Sequence, residues 1–301
     1  MLRAYTYKPQ EAGFQKWPEG ILRLNNTFSV DKPEDADVFI FPPSLMNVQE
    51  RGRVANLPYM NGREERHIFF DVSDFDQTYE LKCLFIRCNL KRHMREADPN
   101  SIPWAWPVCN YPDVAEVPAE GFKYDVSFHG WLSTKTRIEA INSCLANPKL
   151  KTDSAQYTDF YGYVERDNKP EADRRMAAYK LSMKHSRIGL CGESIPGVFP
   201  YRFFEAMSMG RVAMLFSSDY NLPFQDEIPW DKIVLRYPRE ESPHAGTLVQ
   251  NFINSHSDEV IINMGRQARE YWVKYLNRDD WPTTMTMAVE SKLRQIGVKI
   301  G

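Results

Sequence analysis

The stretch that most restricts the fold of this chain lies at residues 185–230. It reads as a short apolar strand at 187–191, a loop rich in glycine and proline, a helix opened by Pro200 with Gly210 at its end, and a second apolar strand at 212–216. Two strands joined by a crossover helix lie parallel in one sheet. The segment therefore predicts an open α/β sheet, in which ligands bind at the carboxyl ends of the strands.

Two charged residues stand near the start of the predicted helix. Arg202 and Glu205 are three residues apart and so share one helix face. Backbone N–H groups at a helix start, with a guanidinium beside them, suit a phosphate. A carboxylate one turn deeper can accept hydrogen bonds from ribose hydroxyls. We interpret the pair as a nucleotide clamp, although the spacing alone fits an exposed i,i+3 ion pair at least as well.

Several motifs follow one another in a fixed order through this segment. The matching residues are Ser186, Ile188, Leu190 and Cys191, then Arg202, Glu205 and Ala206, and finally Asp219, Leu222, Pro223, Phe224 and Trp230. Together they resemble the signature of the exostosin-type family of inverting, nucleotide-sugar-dependent glycosyltransferases, and residues 36–42 resemble a segment of that family's first domain. The chain departs from the family at Pro200, where serine is usual, at Arg211, where cysteine is usual, and at residues 213–214.

The resemblance implies a GT-B type α/β fold, in which two Rossmann-like domains face each other across a cleft. We place an acceptor-side domain at 1–118, a donor domain at 119–280, and a C-terminal helix at 281–301 that packs back on the first domain. A length of 301 residues suits two domains of about 150 residues each. The implied activity moves a sugar from a nucleoside diphosphate donor, a UDP-sugar, to an acceptor hydroxyl of a glycan, with inversion and without an obligatory metal.

The donor domain opens with a strand at 124–130 and a helix from about 134 to 145. Gly130 would let the backbone approach a ligand closely, and Arg137 would face the diphosphate, with Arg187 as a further cation. Tyr201 could stack on the nucleobase, although helical spacing places it with core aromatics. His129 would project into the cleft as a catalytic candidate, but a lone histidine is more often structural.

Acidic residues follow a predicted strand at 67–72. The resemblance makes Asp74 the candidate general base for the acceptor hydroxyl. The alternative, that Asp74 or Asp76 caps the turn after the strand, fits equally well. D-x-D patterns at 35–37 and 74–76 are weak metal signals that lie far in sequence from the clamp, so we assign no metal.

Composition limits the class of protein. A formal net charge of −2 argues against a protein built to coat polyanions. Five cysteines without regular spacing do not indicate a disulfide framework or a zinc site. No window approaches the roughly 18 apolar residues of a membrane span, and the first ten residues lack the apolar core of a signal peptide. We therefore expect a cytoplasmic protein without a membrane span.

The acceptor is the least constrained part of this interpretation. A hydroxymethylated DNA base is the alternative to a glycan, and it needs a basic groove, for which the first half offers Arg87, Lys91, Arg92 and Arg95. A non-catalytic nucleotide- or sugar-binding protein could use the same clamp without a base. Among local elements, we also expect a strand at 36–41 closed by prolines, an aromatic strand at 156–164 and a last strand at 232–237.

Overall fold

A computed structural model describes the chain except for residues 15, 17–21, 46–53, 74–75, 107, 194, 196, 218 and 301. The chain divides into two compact units. The first comprises Met1–Trp106, Asp219–Phe224 and Asp279–Gly301, and the second comprises Pro107–Ser218 and Gln225–Arg278. Each unit is built on a sheet whose strand pairs are all parallel. The prediction of two Rossmann-like α/β domains is therefore confirmed.

The strands of the first unit are β1 (Leu2–Thr6), β2 (Thr27–Ser29), β3 (Val38–Ser44), β4 (His67–Asp71), β5 (Leu84–Arg87) and β6 (Ile102–Pro103). Those of the second are β7 (Tyr124–Trp131), β8 (Thr152–Tyr157), β9 (Ser186–Gly192), β10 (Val212–Phe216) and β11 (Leu235–Tyr237). Within the described residues, the α-helices are α1 (Arg92–Ala97), α2 (Pro112–Ala115), α3 (Lys135–Ala146), α4 (Tyr161–Asp167), α5 (Lys169–Lys184), α6 (Arg202–Ser208), α7 (Trp230–Ile233), α8 (Ala245–Ser255), α9 (Asp258–Tyr271) and α10 (Trp281–Gln295). Short 3₁₀ helices lie at Pro9–Ala12, Pro33–Asp35, Glu64–Arg66, Arg239–His244 and Arg278–Asp280, and a π-helix at Trp272–Leu276 extends α9.

The sheet of the first unit has the order β2-β1-β3-β4-β5-β6. Its central strands β3, β4 and β5 are buried almost throughout and mostly apolar, because both faces are covered. In β3, Val38 and Ile40 join an aliphatic cluster that includes Met285 and Val289 of α10, whereas Phe39 packs in an aromatic cluster on the other face. The period of two along the strand thus separates two different cores.

The sheet of the second unit has the order β11-β10-β9-β7-β8. The chain runs outward from β7 to β8 and then crosses back to β9, so the direction of winding reverses between β7 and β9. Doubly wound sheets bind ligands in the crevice outside the carboxyl ends of the strands at such a point. The ends of β7 and β9 are therefore where a site is expected.

Arg211, one of the departures from the family signature, has a structural role. It is 1% exposed, and its guanidinium donates to the carbonyls of Val114 (2.7 Å), Met183 (2.8 Å) and Gly210 (3.0 Å). These carbonyls lie at or near the carboxyl ends of α2, α5 and α6, which leave backbone acceptors unsatisfied. Burial lowers the pKa of Arg211 to about 10. Arg211 therefore holds three helix ends together.

Four local expectations differ from the structure in extent or position. The strand expected to close at the prolines continues through Pro42 and Pro43 to Ser44, with a shift of register against β4. The aromatic segment at 156–164 is the end of β8 followed by α4. Pro200 precedes the N-cap residue Tyr201 and is not the first residue of α6. The last expected strand is shorter, since α7 occupies its first part. Gly210 does follow the end of α6, with a φ of +66°.

In the described part of the chain, no helix combines the length and the apolar character that a membrane crossing requires.

Candidate functional site

A pocket opens where the second sheet reverses its winding. Its walls come from the ends of β7 and β8 and from α3, α4, α5 and α6. The lining residues are His129, Gly130, Trp131, Arg137, Tyr157, Asp159, Phe160, Tyr161, Arg175, Met176, Tyr179, Tyr201, Arg202 and Glu205. The enclosed space is about 40 Å³, which is room for a few water molecules. A larger ligand must occupy the outer part of the pocket or displace side chains.

The pocket is organised by the contact between Gly130 and Arg202. A Cβ atom on Gly130 would lie 2.7 Å from Nη2 and 2.9 Å from Cζ of Arg202. The guanidinium therefore lies directly against the backbone of β7, and only glycine leaves the space. The predicted close approach at Gly130 is real, but the group that approaches is a side chain of the protein.

The surroundings of Arg202 leave its charge available. Its Cζ lies 4.8 Å from the ring centroid of Tyr179 and 5.7 Å from that of Phe128. Among the described residues, no carboxylate forms an ion pair with Arg202, and this includes Glu205. The alternative interpretation, an exposed ion pair between Arg202 and Glu205, is therefore wrong. A cation held by ring faces is well placed to bind an anion.

Glu205 lies deeper in the same pocket. It is 6% exposed, and its Oε2 accepts a hydrogen bond from the Tyr179 hydroxyl at 3.2 Å. Burial raises the pKa of Glu205, while Arg202 and the Tyr179 hydrogen bond act in the opposite direction. The carboxylate retains lone pairs that could accept from ligand hydroxyls.

The backbone at the start of α6 contributes less than expected. The amides of Phe203 and Phe204 donate to the carbonyls of Pro200 and Tyr201, each at 3.0 Å, and the Glu205 amide donates to Tyr201 at 3.1 Å. These N–H groups are therefore occupied by the turn itself. An anion at this end of the pocket would be bound mainly through the Arg202 guanidinium. Tyr201 is partly exposed and lines the pocket, and burial raises its pKa.

Arg137 lines the pocket but is already engaged. It is 3% exposed, with Nε donating to the Gly192 carbonyl at 3.0 Å and Nη1 to the Trp131 carbonyl at 2.9 Å. Burial and the charge of Arg202 lower the pKa of Arg137 to about 10, so it remains a cation at neutral pH. It ties the ends of β7 and β9 together and adds positive charge beside Arg202.

His129 is 7% exposed at the end of β7. Its Nε2 lies 3.3 Å from Oδ2 of Asp153 on β8, and its Nδ1 is buried without a partner among the described residues. Burial lowers the pKa of His129, Asp153 raises it, and Arg202 lowers it further. The imidazole is thus held in a fixed orientation within the pocket.

Arg187, one of the predicted donor-binding residues, does not join this group. Arg187 lies near the amino-terminal end of β9, where it binds Asp125 (2.9 Å) and Asp258 (2.8 Å). The pocket lies at the opposite ends of the strands, so the donor-binding role predicted for Arg187 is wrong. Asp74 lies outside the described residues.

Only part of the basic cluster considered for a DNA acceptor is exposed to solvent. Arg87 is 1% exposed and forms an ion pair with Asp98 at 2.6 Å. Lys91 binds Asp76 at 2.5 Å. The buried Arg87 side chain therefore cannot contact a DNA backbone, and the carboxylate of Asp76 compensates the charge of Lys91. In the described part of the chain, no group of three or more histidine, cysteine or acidic side chains is placed to hold a metal ion.

Sequence reasoning missed the part of the pocket formed by β8, α4 and α5. On α5, Glu171, Arg175 and Tyr179 follow one another at intervals of four residues and so lie along one face. This spacing was the available signal. The missed residues are Asp153, Tyr157, Asp159, Phe160, Tyr161, Arg175, Met176 and Tyr179.

No protein-family model matches the chain. Its fold resembles several solved structures. That of S. aureus TarM is 12% identical, with 85% of this chain and 54% of that chain covered and a TM-score of 0.47. A glycosyltransferase from Rickettsia africae ESF-5 is 9% identical, with 87% and 71% covered and a TM-score of 0.46. An α-glucosyltransferase in complex with UDP and a 13-mer DNA containing a HMU base is 10% identical, with 88% and 85% covered and a TM-score of 0.40. The chain thus spans about half the length of TarM.

Proposed function

We propose that this chain is an exostosin-like glycosyltransferase of GT-B type, which transfers a sugar from a UDP-sugar to an acceptor hydroxyl with inversion. One observation carries the proposal. The Arg202 guanidinium lies on the Gly130 backbone at the topological switch point, without a carboxylate partner among the described residues, and Glu205 lies buried beside it. A cation without a direct carboxylate contact among the described residues, next to a buried acceptor, matches the diphosphate and ribose of a nucleotide.

The site offers a means of stabilising the leaving group. Negative charge develops on the diphosphate as the bond to the sugar breaks, and the adjacent cations of Arg202 and Arg137 favour that charge. His129, oriented by Asp153, lines the same pocket, where its Nδ1 can accept a hydrogen bond from a ligand hydroxyl. Charge stabilisation by fixed donors is usually the largest single contribution to such a reaction.

The acceptor hydroxyl needs a base on the opposite side of the sugar, because inversion is a single in-line displacement. We assign this role to Asp74 of the first unit on the basis of the family resemblance. A glycan is the proposed acceptor. Since Arg87 is buried and Lys91 is paired, two of the four residues first considered for DNA give that acceptor no support.

The proposal is tested by thermal unfolding of wild type, Arg202→Ala and Glu205→Gln with UDP and with UDP-sugars. A ligand that binds only the folded state at 100 times its dissociation constant stabilises it by about 2.7 kcal/mol. We expect a clear rise in the unfolding temperature of wild type and a smaller one in both variants. No rise in wild type at millimolar UDP would refute the proposal. Sugar transfer or UDP release by wild type, but not by Arg202→Ala, separates an enzyme from a protein that only binds nucleotides.

A further inference from the structure

The pocket has two chemically different ends. The charged end consists of His129, Arg137, Arg202 and Glu205. The other end is aromatic and comes from the end of β7, the end of β8, and α4, with the residues Trp131, Tyr157, Phe160 and Tyr161. A nucleoside diphosphate has the same two parts, since its diphosphate and ribose are polar and its base is a flat heterocycle. The charged end of the pocket can bind the diphosphate and the ribose, which leaves the base without an assigned binding site.

Phe160 is positioned by a glycine. The ring centroids of Phe160 and Trp131 lie 6.1 Å apart, and the Phe160 side chain is 37% exposed. A Cβ atom on Gly162 would lie 2.7 Å from Cε1 of Phe160. The ring therefore folds back over the start of α4 into space that only glycine leaves free. An alanine at position 162 would displace this ring without touching the charged end.

Arg175 fixes the neighbouring side chains. Its Cζ lies 4.2 Å from the centroid of the Tyr157 ring, and its guanidinium binds Glu171 at 2.7 Å and Asp159 at 2.5 Å. Two carboxylates compensate its charge, so Arg175 is poorly suited to a phosphate. It holds the Tyr157 ring and the Asp159 carboxylate at the aromatic end, where the Asp159 side chain remains 46% exposed.

We propose that Tyr157, Asp159, Phe160 and Arg175, which we call the base platform, form the subsite for the nucleobase of the donor. The inference rests on the proposed function, because it concerns the same ligand. Bases stack on aromatic rings, and removing one such ring typically weakens binding about tenfold. The Asp159 carboxylate accepts but does not donate hydrogen bonds, so it favours a base that presents a ring N–H, such as uracil or guanine. Asp159 is thus the residue that sets base preference.

The test compares ligands with and without a base by isothermal titration calorimetry. UDP and inorganic pyrophosphate are titrated into wild type, Phe160→Ala, Gly162→Ala and Arg202→Ala. The matched control is Phe28→Ala, because Phe28 is an exposed phenylalanine of the first unit, on β2, that does not line the pocket. We call Phe160→Ala and Gly162→Ala the platform variants, because both remove or displace the Phe160 ring. We expect both to bind UDP about tenfold more weakly, while their affinity for pyrophosphate changes less than twofold. The control should match wild type for both ligands.

The outcomes separate the two proposals. If the platform variants bind UDP like wild type while Arg202→Ala weakens both ligands, the base lies elsewhere and the proposed function stands. Equal weakening of UDP and pyrophosphate in the platform variants also overturns the subsite. If wild type binds neither UDP nor another nucleoside diphosphate, both proposals fall.

A second titration tests the role of Asp159. The order of affinities for UDP, GDP, ADP and CDP should change in Asp159→Asn, because the amide both donates and accepts. An unchanged order would remove the specificity role of Asp159.

Discussion

Replacing Gly130 by alanine tests the central contact of the site. Gly130 lies in β7 without a positive φ, so its backbone accepts alanine, and strand glycine is itself mildly unfavourable. The new Cβ atom would meet Nη2 of Arg202 at 2.7 Å, whereas ordinary contacts begin near 3.4 Å. The guanidinium must therefore move by about 0.7 Å or more. Because the obstacle is the far end of a flexible side chain, we expect the free energy of unfolding to change by less than about 1 kcal/mol.

Donor affinity should change much more. A hydrogen bond to a charged group contributes about 1.5–3 kcal/mol, which corresponds to about 10- to 150-fold in the dissociation constant. We expect Gly130→Ala to weaken UDP binding within this range in calorimetric titration, while urea unfolding shows a stable protein.

A double-mutant cycle makes the test specific. If Gly130→Ala acts through Arg202, it should have little further effect on UDP affinity in an Arg202→Ala background. Unchanged affinity in the single variant, or full additivity of the two substitutions, would refute the reasoning.

Three further predictions concern stability and the corrected residues. Arg211→Ala should lower the free energy of unfolding by about 3–5 kcal/mol, measured in urea, because several buried helix-end carbonyls lose their donor. Burial lowers the pKa of His129, so the folded state resists protonation of this side chain. As the pH falls below about 6.5, the free energy of unfolding of wild type should therefore decrease relative to that of His129→Asn. A parallel decrease in both proteins would contradict this prediction. Arg187→Ala should leave UDP affinity unchanged while costing about 1 kcal/mol of stability, since Arg187 pairs with Asp125 and Asp258 away from the pocket.

Local patterns determined much of the fold. The apolar runs within β4, β9 and β10 reflect the burial of parallel strands on both faces, and this pattern is visible in the sequence. The helical spacing of Arg202 and Glu205 likewise placed both residues in one pocket. These properties depend on residues a few positions apart, and backbone geometry relates such residues directly.

Other properties depended on contacts between distant parts of the chain. That Arg202 rests on Gly130 without a carboxylate partner among the described residues follows from the pairing of β7 with β9, which no spacing reveals. The same pairing placed Arg187 at the opposite end of the strands from the pocket. The prolines after residue 41 do not end β3, because a shift of register against β4 accommodates them.

The sequence by itself determined the class of fold through local periodicity, and the resemblance to a known family named the residues that form the charged end of the pocket. Only the tertiary structure decided the aromatic end. Phe160 lies just before α4 and Arg175 lies in α5, and they line one pocket because β8 lies beside β7 while α5 packs against both α4 and β7. Such proximity is set by the packing of whole elements, which the order of residues along the chain does not show.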